Sequence, residues 1–254
     1  MKKNIAKKTG GDMFNTVDDL RNSRTIIRDF WGKYRDIGES LSVQDIFIIS
    51  ILNRMAEIND AFNELTKPDN YNYLGAAPLV RLQIDTLIYA YAGTLVDDFI
   101  EFLKCFMKGD KWTKLKDREG NELKESYLVD SLCKIYGTDE FKRIYKATSN
   151  FVHLSNSHLF MTIWTSEKSM GQRVGIYSVP DNKQNLIDIM LGINALIFRI
   201  LIVSYVATRE EEVRRLKELQ IKYPDKSIDE IYAEFADNDT VLHQLFFGQL
   251  KQQK

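Results

Sequence analysis

Apolar residues recur every third and fourth position along most of this chain, the rhythm of helices that bury one face. Val17, Leu20, Ile27, Phe30, Trp31, Tyr34 and Ile37 keep that rhythm over 16–37, and Thr16 with Asp19 has capping-box spacing at its start. Ser42 opens a second run, VQDIFIISILNRMAEINDAFNEL, which ends near the Lys67–Pro68 step. After the short loop PDNYNYLG, Pro78 suits the first turn of a third helix, LVRLQIDTLIYAYAGTLVDDFIEFLKCFM, which is long and mostly buried. A polar stretch with a turn at REGN follows. A short helix over about 126–135 and another across DEFKRIYKATSNFVHLS come next, parted by Gly137 and Thr138.

After His158 the pattern changes. LFMTIWTS and RVGIYSV are β-rich runs separated by EKSMGQ, a hairpin signal. The longest helix then covers about 183–219, apolar nearly all round in its first half and charged in its second. Ser227 and Glu230 have capping-box spacing before IYAEF, and the amphipathic piece VLHQLFFGQL closes the chain. No repeat or low-complexity linker divides the sequence. These elements predict a mainly α fold: a single-domain helical bundle over 14–254 with a small β-hairpin insertion at about 159–178, after a disordered start at 1–13.

The run LIDIMLGINALIFRILIVSYVA (186–207) is long enough to cross a bilayer. Asp188 and Arg199 stand inside it, each costing about 2.5–3.5 kcal/mol at mid-membrane on insertion scales. A central helix wrapped by the others in a soluble bundle is therefore the expectation. At about 100° per residue, Asp188, Gly192, Ala195 and Arg199 share one face, a narrow strip of small residues between two charges. Such a strip suits close approach of another helix.

Composition narrows the function classes. The chain has 254 residues, 35 basic and 36 acidic side chains, and a formal charge of −1. That balance gives no general attraction to nucleic acid or anionic membrane, so either would need a local patch. Cys105 and Cys133 are the only cysteines, too few for a disulfide framework and without zinc spacing. The basic start MKKNIAKKTGGDMFN lacks the apolar core of a signal peptide, so a reducing cytoplasm is expected. There is no GxSxG and no phosphate-cradling glycine loop, so serine-hydrolase and nucleotide-dependent chemistries are not the favoured readings. His153, His158 and Asp85 lack a metal-ligand spacing, so neither metal nor cofactor is expected. Asp97, Asp98 and Glu101 read as a solvated acidic face, and His243 as a structural residue.

Candidate chemistry lies in two polar stripes on apolar helices. Tyr145, Ser149 and His153 recur every fourth residue, which stacks them on one helical face. His153 sits near the helix end, where the partial negative charge favours imidazolium. Ser149, Ser155 and Ser157 could fix its ring by hydrogen bonding, and His158 follows close behind. The third helix carries a matching stripe, Arg81, Asp85 and Tyr89. A paired carboxylate facing His153 would raise its pKa, and an arginine beside it would stabilise a developing anion. If these helices face each other, His153, Arg81 and Asp85 form a catalytic set, with Tyr145, Lys146, Ser149, Ser155 and His158 supporting or binding substrate. The same residues also fit an Arg–Asp–His network that only ties two helices together; Arg199 is a rival mate for Asp85.

The segment 138–158 together with VRLQIDTLIYAYAG resembles a group of bacterial helical proteins carrying an Arg–Asp helix and a Tyr…Ser…His–x–Ser segment. It is also loosely similar to the HEPN helical nucleases of toxin–antitoxin and phage-defence systems, in which an Arg and a His four to six residues apart cut RNA without a metal. That resemblance implies His153 as the acid–base residue, RNA as the partner, and cleavage through the ribose 2′-hydroxyl. The chain departs from the motif: Lys146 stands where the arginine would, and the nearest preceding arginine is Arg143. A lysine neutralises phosphate but lacks the bidentate fork. Two readings result, a metal-independent ribonuclease or a non-catalytic interaction module. The module would expose apolar surface near VLHQLFFGQL or WTSEKSMGQR, and a homodimer suits either reading.

Overall fold

The structure is a computed structural model that describes residues 13–37, 43–69, 71–136, 139–152, 163–165, 172–174, 183–227 and 230. Those residues are mainly helical. In chain order the helices are α1 (Val17–Arg21), α2 (Ser23–Arg35), α3 (Val43–Leu65), α4 (Tyr73–Leu95), α5 (Phe99–Lys108), α6 (Glu125–Tyr136), α7 (Glu140–Val152), α8 (Lys183–Ile200) and α9 (Ala207–Lys222), with a π-helical stretch, Leu201–Val206, joining α8 to α9.

The core forms around α4. Small residues at Ala76, Ala77, Ala90 and Ala92 let neighbours approach, while Val80, Ile84, Leu87 and Ile88 supply volume; all are buried. α8, α3 and α7 pack against this rod, and α6 reaches it as well. Met190, Ile197 and Phe198 of α8, and Leu201 just beyond it, are fully buried, each stabilising by roughly 1.5–3 kcal/mol. Phe198 meets Phe14 and Phe30, with ring centroids 5.3 and 5.0 Å away, so the first helices close over the same core. The most apolar window of Gln184–Glu211, long enough to span a bilayer, is 61% buried inside the protein.

Several boundaries differ from the sequence reading, each for a local reason. The helix expected over 16–37 breaks at Asn22, whose backbone N–H and side-chain Nδ2 both donate to the Asp18 carbonyl. The Thr16–Asp19 capping box is present at its start. The third helix begins a turn earlier than Pro78, because Asn72 caps it by accepting from the Gly75 N–H at 2.9 Å. Nor does that helix run on to Met107. Val96 is extended, and Asp98 starts α5 by accepting from the N–H groups of Ile100 and Glu101 at 3.0 and 2.9 Å. Asp97, Asp98 and Glu101 are all exposed, as a solvated acidic face requires; within it Asp98 also caps α5, and Asp97 pairs with Arg118 at 3.2 Å.

The β-hairpin insertion expected at about 159–178 is not supported beyond two three-residue segments, Ile163–Thr165 and Gln172–Val174, with Trp164 opposite Arg173. The remainder of that range lies outside the described residues, as do 1–12, IYAEF, VLHQLFFGQL and His243. Of the strip Asp188, Gly192, Ala195 and Arg199, only Ala195 packs against the core, and it does so partly. Asp188, Gly192 and Arg199 are exposed, and Asp188 accepts from Gln184 on its own helix at 2.8 Å.

The loop between α5 and α6 is ordered by one carboxylate. Asp117 accepts from the N–H groups of Glu119 and Asn121 at 2.9 and 2.8 Å and from the Tyr127 hydroxyl at 2.5 Å. Desolvation alone would raise its pKa, but the bonds from Tyr127, Asn121 and the backbone outweigh it and hold the carboxyl below its ordinary value. A depressed folded-state pKa contributes stability above the unfolded carboxylate pKa, near 4, and loses it as pH falls through the folded value. Asp117→Asn is therefore expected to destabilise at pH 7 and to flatten the acid limb below about pH 4. Urea melts across that range check it; an unchanged acid limb would contradict the assignment.

Candidate functional site

Arg81 draws the two stripes together. It projects from α4 toward α7, and its side chain is 11% exposed. Its Nε donates to Ser149 Oγ at 3.1 Å, and its Nη2 donates to the Tyr145 hydroxyl at 3.1 Å and to Glu125 Oε2 at 3.3 Å. Its Nη1 is ion-paired with Asp85, one turn along α4. The guanidinium also lies over the Tyr145 ring, 4.2 Å from the centroid, where the π face favours a cation.

Local structure explains why these groups converge. Tyr145 and Ser149 are one turn apart on α7, and the Ser149 hydroxyl donates to the Tyr145 carbonyl at 2.7 Å, which turns its lone pairs toward Arg81. Glu125 is the first residue of α6, where the helix dipole favours a carboxylate. It accepts from the Tyr145 hydroxyl at 2.6 Å, so Tyr145 bridges carboxylate and guanidinium. Burial, helped by the bond to Glu125, pushes the Tyr145 phenol above its ordinary pKa, although Arg81 opposes the shift.

The structure thus unites Arg81, Asp85, Tyr145 and Ser149 in one seam. Tyr89 leaves it and packs edge-on against Phe106 and Trp112, with centroids 5.0 and 5.1 Å away. Lys146 is exposed on another side of α7. His153, Ser155 and His158 lie outside the described residues. Glu125 was missed by the sequence reading, because a charged residue opening a helix after a polar loop looks like ordinary solvated structure. Its only signal was its position at a helix start.

The arrangement has a clear charge balance. One guanidinium faces two carboxylates, those of Asp85 and Glu125, the latter 47% exposed. A phosphate approaching Arg81 would have to displace acceptors already bound and would meet net negative charge. Among the described residues no group of three or more His, Cys, Asp or Glu side chains could hold a metal ion. Two clefts elsewhere, of about 630 and 560 Å³, are lined by neither Arg81 nor Tyr145.

Two further polar clusters lie deeper. Asn59, Gln83 and Asn194, from α3, α4 and α8, are fully buried. Asn194 Nδ2 donates to Asn59 Oδ1 at 2.9 Å, and Gln83 Nε2 donates to Asn194 Oδ1 and, at 3.4 Å, to Asn59 Oδ1. Near the start of α3, Asp45 pairs with Arg209 of α9 at 3.3 Å, both almost completely buried. Tyr34 is hydrogen-bonded to Asp45; burial first, and then the Asp45 charge, push its phenol strongly up. Each cluster joins helices distant in sequence. Comparison with family profiles, with curated proteins and with solved structures gives no match.

Proposed function

We propose that this chain is a non-catalytic helical interaction module in which the Arg81 seam holds α6 and α7 against α4. One observation carries the reading: Nε and Nη2 of Arg81 donate to acceptors of the chain itself, Glu125 among them, and Nη1 is ion-paired with Asp85. A phosphate-binding arginine keeps its fork available to the ligand. The near-neutral total charge argues the same way, since RNA binding draws strongly on phosphate neutralisation. On this reading the protein is cytoplasmic, and Gln184–Glu211 is a bundle core rather than a membrane span.

The second reading is a HEPN-like, metal-independent endoribonuclease, with His153 as acid–base residue and the ribose 2′-hydroxyl as nucleophile. What favours it is that α4 meets α7 through Tyr145 and Ser149, on the face that the four-residue spacing extends to His153. One experiment separates the two. Wild type, His153→Ala and Arg81→Met are incubated with RNA in chelator, and the stability of each is measured by urea unfolding. The module reading expects no cleavage above buffer by any of them. It expects Arg81→Met to lose about 1.5–3 kcal/mol, the range for hydrogen bonds to a charged group. Cleavage by wild type that vanishes in a folded His153→Ala variant would overturn it.

A further inference from the structure

The apolar helix α8 keeps one face partly outside the bundle, flanked by Ile189, Ala195 and Leu196, which pack at the edge of the core. Ile189, Gly192, Ala195 and Leu196 of α8, with Val203 just beyond, are incompletely buried, and Val203 is 66% exposed. At about 100° per residue these positions form one stripe. A methyl group added at Gly192 would meet nothing within 4 Å, so the surface there is open. Asp188 and Arg199 stand on the same stripe, both exposed.

The order of these groups is self-complementary. Asp188 and Arg199 are eleven residues apart, about 16 Å along the axis. The midpoint between them falls between Gly192 and Ala195. Turned end for end about that midpoint, a second copy of the helix sets its Arg199 against Asp188 and its Ala195 against Gly192. Opposite charges then meet at both ends, and the smallest residues meet in the middle, where two helix axes can approach to about 8 Å. An antiparallel two-fold pair brings opposite charges together at both ends, whereas a parallel pair would set like against like.

We propose that this face of α8 is the docking surface for a second copy of the chain, in an antiparallel, two-fold symmetric dimer. The inference does not depend on the role of the Arg81 seam, and its failure would leave that reading standing. The dimer covers apolar surface that the bundle leaves wet, and its charges fix the register.

Sedimentation velocity of the full-length protein over a concentration series tests it. Wild type is expected to show a monomer–dimer equilibrium that weakens as salt rises. Asp188→Arg and Arg199→Asp each replace two attractive contacts by two repulsive ones, and each is expected to raise the dissociation constant at least about tenfold. Gly192→Leu, tolerated by the monomer, is expected to do the same by blocking close approach. The double swap Asp188→Arg/Arg199→Asp restores the pairs in reverse and is expected to recover dimerisation, which excludes unfolding as the cause. A wild type monomeric at every concentration would overturn the proposal, as would a dimer indifferent to these changes or a swap without recovery. Co-sedimentation with phosphatidylcholine–phosphatidylglycerol vesicles in place of self-association would assign the face to lipid instead and overturn it too.

Discussion

Asp45→Ala is expected to cost about 3–5 kcal/mol, the usual penalty for removing one member of a buried ion pair. Asp45 is 1% and Arg209 5% exposed, so the variant leaves a guanidinium in the core with its counter-charge gone. The Tyr34 hydroxyl would lose its acceptor as well, keeping only the bond it accepts from Gln44. Small domains are stable by about 5–15 kcal/mol in total, so a large share of the fold's margin disappears. The effect belongs to the broken pair rather than to the worth of the intact one. Replacing both partners, as in Asp45→Leu/Arg209→Met, is accordingly expected to recover most of the loss. Urea unfolding of wild type, single and double variants measures this. A single variant within about 1 kcal/mol of wild type would contradict the burial of the pair.

Gly93→Ala is the second large effect. The added methyl would overlap the Tyr205 hydroxyl and stand 3.1 Å from the Phe99 ring. Tyr205 cannot swing away, because its ring is buried and its hydroxyl donates to the Ala90 carbonyl at 3.0 Å. It belongs to the π-helical stretch Leu201–Val206, where i→i+5 bonding alters the carbonyl pattern. Gln44 from α3 donates to the Tyr205 carbonyl at 3.2 Å and ties that stretch to its neighbour. Alanine is favoured over glycine inside a helix by about 1 kcal/mol, whereas overpacking a rigid core costs about 1–3 kcal/mol. A net loss is therefore expected, and Tyr205→Phe, which removes the overlapping oxygen, should relieve it. The test is non-additivity: the double variant should be more stable than the two single losses predict, by about 0.5 kcal/mol or more. Strict additivity would count against a direct clash.

Half of the polar seam could be read from residue spacing. Arg81 with Asp85, and Tyr145 with Ser149, are local pairs whose separation of four places them on one helical face wherever the helix goes. That the two faces meet is a matter of packing, and Glu125 enters only because α6 ends its approach beside Tyr145. The same limit explains why Tyr89, on the right stripe, goes instead to Phe106 and Trp112. The buried groups of Asp45, Arg209, Asn59, Gln83 and Asn194 carry no local signal at all. Each looks like an ordinary polar residue on a helix until its partner, more than twenty residues away, is brought against it.

Periodicity and caps sufficed for the helical class, for the start at Thr16 and for the apolar run that becomes α8, since these depend on neighbours within about one turn. Arrangement in space settled the rest: the break that makes Asp98 a cap, the burial of Arg209 in an otherwise charged helix, and the neutralisation of Arg81 by a carboxylate from a third helix. The division has a physical cause. Helix propensity and amphipathic pattern are short-range, while the cost of burying a charge depends on which distant group arrives to meet it.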